Sequence, residues 1–247
     1  MGYLLEVRNI TKRFGGLTAV DDVSMGVNAG EVVGLLGDNG AGKSTLIKII
    51  SGVYHADEGK VLFMDREVHI AGPMDALSMG IETIYQDLAL AENLSVYSNI
   101  FLGREKMKKI LGLIEVLDHD YMLSEARKVL HRLDIEIPSL KNRISMLSGG
   151  QRQAVAISRS IYWDARFLIM DEPTAALGIA EQNKVLDLVR RLKDQGLGIL
   201  IISHQLHDVF SVADRLVIMR RGKKVAERDT ARTDQNEVVS LIVGATV

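Results

Sequence analysis

The sequence predicts an α/β fold built around a parallel sheet, with a small antiparallel β subdomain and a helical subdomain attached to it. Three observations carry this. Residues 31–36, 167–170, 199–202 and 216–219 form short apolar runs of strand length, and they alternate with stretches of helical periodicity. Three of these runs are almost wholly apolar, as strands must be when both faces of their sheet are covered. A glycine-rich segment follows the first run directly and leads into a helical pattern.

In chain order, residues 1–30 and 60–68 read as β-rich pieces and are predicted to form the small antiparallel sheet. The run at 31–36 is the first core strand, and Leu46-Ile47-Lys48-Ile49-Ile50 continues the helix that follows it. Residues 81–85 are strand-like. From 88 to 146 the chain is rich in helix formers. Ser124 precedes Ala126, Val129, Leu130 and Leu133 at helical spacing, and Pro138 interrupts the pattern, so a helical insertion is expected there. A further helix runs through Ala154, Ile157 and Ile161 before the remaining core strands. There is no internal repeat and no low-complexity linker, so tightly joined lobes are expected.

Bulk properties narrow the function. A chain of 247 residues with 47% hydrophobic and 25% charged residues can bury a substantial core and has the make-up of a globular enzyme. The formal net charge of -2 removes the simplest electrostatic case for nucleic-acid binding, and no nucleic-acid partner is expected. With no cysteine, disulfides, thiolate metal sites and cysteine nucleophiles are excluded. Glu6, Arg8, Lys12 and Arg13 break up the N-terminal apolar residues, so a secretory leader is not expected. The longest aliphatic run, 198–202, is far short of the roughly 20 residues a membrane-crossing helix needs. A cytoplasmic protein is expected, with any link to a membrane made through a partner.

Gly37-Asp38-Asn39-Gly40-Ala41-Gly42-Lys43-Ser44-Thr45 fits a phosphate-binding loop between strand and helix. Glycines let the backbone turn tightly and aim successive N–H groups inward, and the helix N-terminus adds its own. Lys43 supplies a mobile positive charge, Ser44 a hydroxyl for Mg²⁺, and Thr45 a further donor. Average residue usage gives such a pattern roughly a one per cent chance in a chain this long, and its place after a strand lowers that further.

Asp171 and Glu172 end the apolar run at 167–170, where the C-terminal edge of a parallel sheet presents ligand-binding groups. Asp171 is the expected metal ligand and Glu172 the group that polarises the attacking water. Taken alone, an apolar run ending in Asp-Glu is more often a plain strand-to-loop junction; the upstream loop reverses those odds.

Leu147-Ser148-Gly149-Gly150-Gln151 resembles, letter for letter, the signature of ABC ATPases, the ATP-binding members of the P-loop NTPase class. The other motifs fall in that family's order over nearly the whole chain, from Val7 to about Glu227. By this resemblance residues 1–247 form one ABC ATPase domain. Residues 1–87 and 156–247 correspond to its catalytic core with the β subdomain, and 88–155 to the helical subdomain with the signature. The resemblance implies ATP and Mg²⁺ as ligands, with Ser44, Gln86 and Asp171 at the metal and Phe14 stacked on the adenine. Gln86 matches the family's Q-loop glutamine and His204 its switch histidine, which contacts the γ-phosphate.

The resemblance also implies a head-to-tail homodimer in which Ser148, Gly149, Gly150 and Gln151 of one copy close over ATP held by Lys43 and its loop on the other. One position departs from the pattern. Where the family usually has Ser-Ala-Leu-Asp, this chain has Ala175-Ala176-Leu177-Gly178, so the aspartate that works across the dimer interface is missing. Hydrolysis is still expected because Glu172, His204 and Lys43 are all present.

The wording Ile10-Thr11-Lys12-Arg13-Phe14-Gly15-Gly16 and Gln151-Arg152-Gln153-Ala154-Val155-Ala156 is similar to the ATPases of bacterial ribose, xylose and fructose importers. An ATP-hydrolysing subunit on the cytoplasmic face of a cell membrane is then implied, bound to integral membrane permease subunits and served indirectly by an extracytoplasmic solute-binding protein. An importer for another solute, such as amino acids, is the alternative. A soluble ABC ATPase acting on nucleic acid or ribosomes ranks lower, because no coiled-coil insertion, second cassette or basic arm is visible.

Overall fold

A computed structural model of the protein describes residues 2–110 and 113–244. The chain opens with strands β1 (Leu5–Phe14), β2 (Leu17–Val27) and β3 (Val32–Leu36), helix α1 (Lys43–Ile50), strands β4 (Glu58–Phe63) and β5 (Arg66–Val68), helix α2 (Pro73–Met79) and strand β6 (Ile81–Ile84). Next come helix α3 (Val96–Ile100), strands β7 (Met107–Ile110) and β8 (Ile114–Leu117), and helices α4 (His119–Arg132) and α5 (Gly149–Tyr162). It continues with β9 (Phe167–Asp171), α6 (Ile179–Asp194), β10 (Gly198–Ile202), α7 (Leu206–Val212), β11 (Arg215–Arg220), β12 (Lys223–Asp229) and α8 (Gln235–Val243). The chain divides into two compact units. The first holds the residues up to Gln86, Ala165–Ala175 and those from Leu186 on; the second holds Asp87–Asp164 and Ala176–Val185.

In the first unit a six-stranded sheet runs in the order β12-β11-β3-β10-β9-β6, parallel throughout except for β12. Every residue of β3 and β10 is buried, which is why these strands read as unbroken apolar runs with no alternation. Gly34 in β3 is a packing glycine: a side-chain carbon there would lie 2.4 Å from Val209 Cγ1, so its absence lets α7 close on the sheet. The register aligns the carboxyl ends, with Ile202 opposite both Leu35 and Asp171, and Ile218 opposite Leu36. The loops after β3, β9, β10 and β11 therefore leave at one edge.

The second sheet of this unit is antiparallel, in the order β2-β1-β4-β5, as the β-rich N-terminal segments predict. Leu46, Ile47 and Ile50 of α1 share one buried cluster with Leu35, Ile169, Leu200 and Val217 from the large sheet and Val7, Ile10 and Val23 from the small one. Each such side chain contributes about 1.5–3 kcal/mol by burial, so α1 is anchored from both sides. That anchoring fixes the loop from which the helix springs.

In the second unit α4 buries Met122, Ala126, Val129 and Leu130 and is capped by Asp118, whose side chain accepts from the Tyr121 N–H at 3.2 Å. The helix starts five residues before Ser124. The expected helical insertion also holds an element the sequence did not signal: β7 and β8 pair antiparallel within it. Met107, Ile110, Ile114 and Leu117 on this hairpin are exposed, and no buried face imposed the alternation that would have marked these strands in sequence. Trp163 packs edge-on against Phe101 and Tyr162, and its indole N–H donates to the Ile100 carbonyl at 3.1 Å.

Candidate active site

The loop after β3 is shaped by two glycines that no other residue could replace without displacement. Gly37 has φ +153°, and a Cβ there would fall 2.3 Å from the Met219 carbonyl oxygen. Gly42 has φ +99°, and its Cβ would fall 2.4 Å from the Ala19 carbonyl oxygen. Ala41 is buried and pinned on both sides: its N–H donates to the Asp38 carbonyl at 3.1 Å, and its carbonyl accepts from the Gly222 N–H at 3.0 Å. The Asp38 side chain accepts from the Asn39 N–H at 2.7 Å. Helix α1 then begins at Lys43, so the first N–H groups of Lys43, Ser44 and Thr45 have no partner within the helix.

Lys43 is buried, and its ammonium donates to the Gly37 carbonyl at 2.6 Å and the Asp38 carbonyl at 3.0 Å. Of three donors, two are spent on the loop and one remains. Burial pushes the Lys43 pKa down, against the opposing influence of Glu172, Asp38 and Asp171. Burial likewise pushes the Asp171 carboxyl up, against Lys43, His204 and Lys48. Each charge is thus disfavoured where the fold has placed it.

Glu172 takes φ +53°, a left-handed conformation that costs a non-glycine residue about 1 kcal/mol or more. Its N–H donates to the Ile202 carbonyl at 2.8 Å. The carboxylate accepts from the His204 N–H at 3.0 and 3.3 Å and from the Ser203 hydroxyl at 3.4 Å, and His204 Nε2 lies 3.4 Å from Oε1. Strands β9 and β10, paired in register, deliver these two residues side by side.

Phe14, Asn39, Gly40, Ala41, Gly42, Lys43, Ser44, Thr45, Gln86, Asp171, Glu172 and His204 all line one cleft of about 690 Å³ in the first unit. Gly37 and Asp38 meet it through the carbonyls that hold Lys43. The Phe14 ring is 42% exposed at its rim, with Tyr54 edge-on at 5.3 Å and the Lys12 ammonium 5.5 Å from its centroid. Ser148, Gly149, Gly150 and Gln151 belong to the second unit. There Ser148 and Gln151 form a reciprocal cap on α5: the Ser148 hydroxyl accepts from the Gln151 N–H at 3.3 Å, and the Gln151 side chain accepts from the Ser148 N–H at 3.1 Å.

Arg221, Thr18 and Ala19 also line the cleft and were not singled out in the sequence. A signal for Arg221 was available. The run at 216–219 reads as a core strand, which puts the residues just after it at one edge of the sheet, and the parallel pairing of β11 beside β3 makes that the edge of the phosphate loop. Thr18 and Ala19 sit at the start of β2, and only the approach of that strand to Gly42 brings them in.

The groups fit a nucleotide triphosphate with a divalent cation. The loop has backbone that a Cβ would obstruct, one free ammonium donor and unpaired helix amides for phosphate oxygens. Among the described residues no cluster of three or more carboxylate or histidine ligands could hold a metal by itself. Ser44 and Asp171 can instead share an ion with phosphate oxygens, which suits Mg²⁺.

The chain matches the ABC transporter family over residues 20–175. It is 49% identical over 242 residues to the xylose/arabinose import ATP-binding protein of Sulfolobus acidocaldarius, covering 98% of this chain and 94% of that protein. It is 40% identical over 242 residues to the ribose import ATP-binding protein of Clostridium tetani, covering 97% of this chain but only 47% of that longer relative. Its fold superposes on a solved ATP-binding cassette of an ABC transporter with a TM-score of 0.84 at 30% identity, covering 98% of this chain and 99% of the other.

Proposed function

Because the chain belongs to the ABC transporter family, we propose that it is the ATP-hydrolysing subunit that powers an importer of monosaccharides, with the transported sugar handled by other chains. The observation that carries the catalytic part is the convergence of Lys43, Asp171, Glu172, His204, Gln86 and Phe14 on one cleft at the carboxyl edge of the parallel sheet. The xylose, arabinose and ribose named for its relatives support the solute class.

In this reading the amides of Gly40 to Thr45 and the remaining donor of Lys43 take the phosphate oxygens, and the exposed face of Phe14 stacks on the adenine. Ser44, Asp171 and Gln86 hold Mg²⁺, which when bound neutralises charge on the phosphates. Glu172 orients the attacking water, held at its angle by the His204 and Ser203 donors, and the His204 ring reaches the γ-phosphate. Phosphoryl transfer asks mainly for such positioning and charge compensation. Phosphate and Mg²⁺ would add counter-charge to Lys43 and Asp171, whose burial outweighs the opposite charges already near them.

Two copies arranged head to tail would bring Ser148, Gly149, Gly150 and Gln151 of each onto ATP held by the other. The second unit, carrying the signature, is then the helical subdomain through which the permease is engaged. Among the described residues no helix is long and apolar enough to cross a membrane, so attachment at the cytoplasmic face falls to permease subunits, with a solute-binding protein acting from outside.

The test is affinity purification of tagged Glu172→Gln protein from the source membranes in Mg-ATP. A polytopic membrane protein is expected to co-purify. Recovery of soluble proteins or nucleic acid alone would contradict the transporter assignment.

A further inference from the structure

Arg221 lines the cleft, yet its backbone conformation suits a different residue. Strands β11 and β12 pair up to Arg220 and Lys223, which leaves Arg221 and Gly222 as a two-residue turn. Both have positive φ, +49° and +82°, the mark of a type I′ turn, which favours asparagine, aspartate or glycine at its first position. An arginine held left-handed there is strained. The turn that carries it is fixed to its surroundings through Gly222. The Gly222 N–H donates to the Ala41 carbonyl at 3.0 Å, and its carbonyl accepts from the Asp21 N–H at 2.8 Å. A Cβ on Gly42 would fall 3.4 Å from the Gly222 Cα, so no side chain separates the turn from the phosphate loop.

The cations that follow the turn are spent on acids: the Lys223 ammonium lies 3.2 Å from the Asp21 carboxylate, and that of Lys224 lies 3.1 Å from Glu227. Arg221 is exposed, and among the described residues no group pairs with its guanidinium. Sheet order decides which part of a nucleotide this cation meets. Strand β3, which leads into the phosphate loop, lies between β11 and β10. Glu172 and His204 follow β9 and β10 on one side of it. Arg221 follows β11 on the other side, where Gly222 packs against the backbone of Thr18 and Ala19.

We infer that Arg221 is a phosphate-binding residue that takes the α and β phosphates, the part of the nucleotide that ATP and ADP share. This rests on the cleft being the ATP site proposed above. A guanidinium presents a planar fork of donors that matches two phosphate oxygens, and an unpaired one loses no internal ion pair on engaging them. The γ-phosphate end belongs to Glu172 and His204, across the loop. A contact made equally before and after hydrolysis governs how fully the cleft is occupied and leaves the barrier to the chemical step alone.

The test titrates the full chain with fluorescent Mg-ATP and Mg-ADP at low and high salt, comparing the natural chain, Arg221→Asn and Lys43→Ala, alongside nucleotide-free melting. Asparagine accepts the left-handed turn position, so it removes the cation without harming the turn. Affinity for ATP and ADP should fall by the same factor, about threefold to tenfold, the scale of an exposed charge-assisted contact. The difference should narrow as ionic strength rises, and the melting temperature should hold or rise. A residue that merely supports the turn would lower melting together with affinity, and that result overturns the assignment. A loss confined to ATP also overturns it, as does unchanged affinity for both nucleotides while Lys43→Ala binds weakly. Undiminished affinity in Lys43→Ala would overturn the ATP site itself, and the role of Arg221 with it.

Discussion

The two units hold their functional donors in opposite states. In the first, Lys43 and Asp171 are buried where their charges are disfavoured, with one ammonium donor and several amides unspent. In the second, the Ser148 and Gln151 side chains are each spent on the other's backbone N–H at the start of α5, and the Glu181 side chain packs close to Gly150. One half keeps donors unspent for a ligand, and the other commits its side chains to capping its own helix. The difference teaches that similar loop-and-helix chemistry can be left receptive or be capped by the side chains of its own first turn. The Glu172 carboxylate beside the open loop is itself held in place, accepting from the His204 N–H and the Ser203 hydroxyl.

The largest effect that would break this contrast comes from the open half. Lys43→Ala removes the charge that the loop holds ready, and ATP affinity should fall by about tenfold to a hundredfold, the scale of a charge-assisted phosphate contact. A titration with fluorescent ATP reads this directly, and undiminished affinity would mean that the loop after β3 does not hold the phosphates. A smaller effect sharpens the same contrast. Because burial raises the Asp171 pKa, its charged form opposes folding at any pH above the ordinary carboxylate range. Asp171→Asn should then raise the melting temperature of nucleotide-free protein by a few degrees at neutral pH, and the gain should vanish below about pH 4, where the unfolded carboxyl is also protonated. A melting temperature lowered at pH 7 would show that Asp171 is compensated in the nucleotide-free protein.

How much of this was legible depended on whether burial left a pattern. The core strands announced themselves because both faces are covered, and the phosphate loop because Gly37 and Gly42 meet carbonyl oxygens that admit no side chain. The hairpin β7–β8 was not legible, since its largely exposed side chains answer to no core. Arg221 follows a strand that was read correctly, but its arrival at the cleft depends on sheet order, with β11 directly beside β3. The approach of Glu181 to Gly150, beside that of Leu177 to Gly149, joins residues about thirty apart, and no local spacing encodes it. Gly178 could be recognised only as a departure from the family pattern; the structure shows its backbone serving the start of α6.

The most direct test of the central claim is to measure Mg²⁺-dependent ATP turnover and ATP affinity on the same preparations of the natural chain and of Glu172→Gln. The arrangement of Glu172 with His204 at the carboxyl edge predicts turnover lower by roughly two to four powers of ten, the usual scale for a positioned base, with affinity unchanged. Equal turnover in the two proteins would contradict the assignment of Glu172 and of the cleft as the place where ATP is hydrolysed.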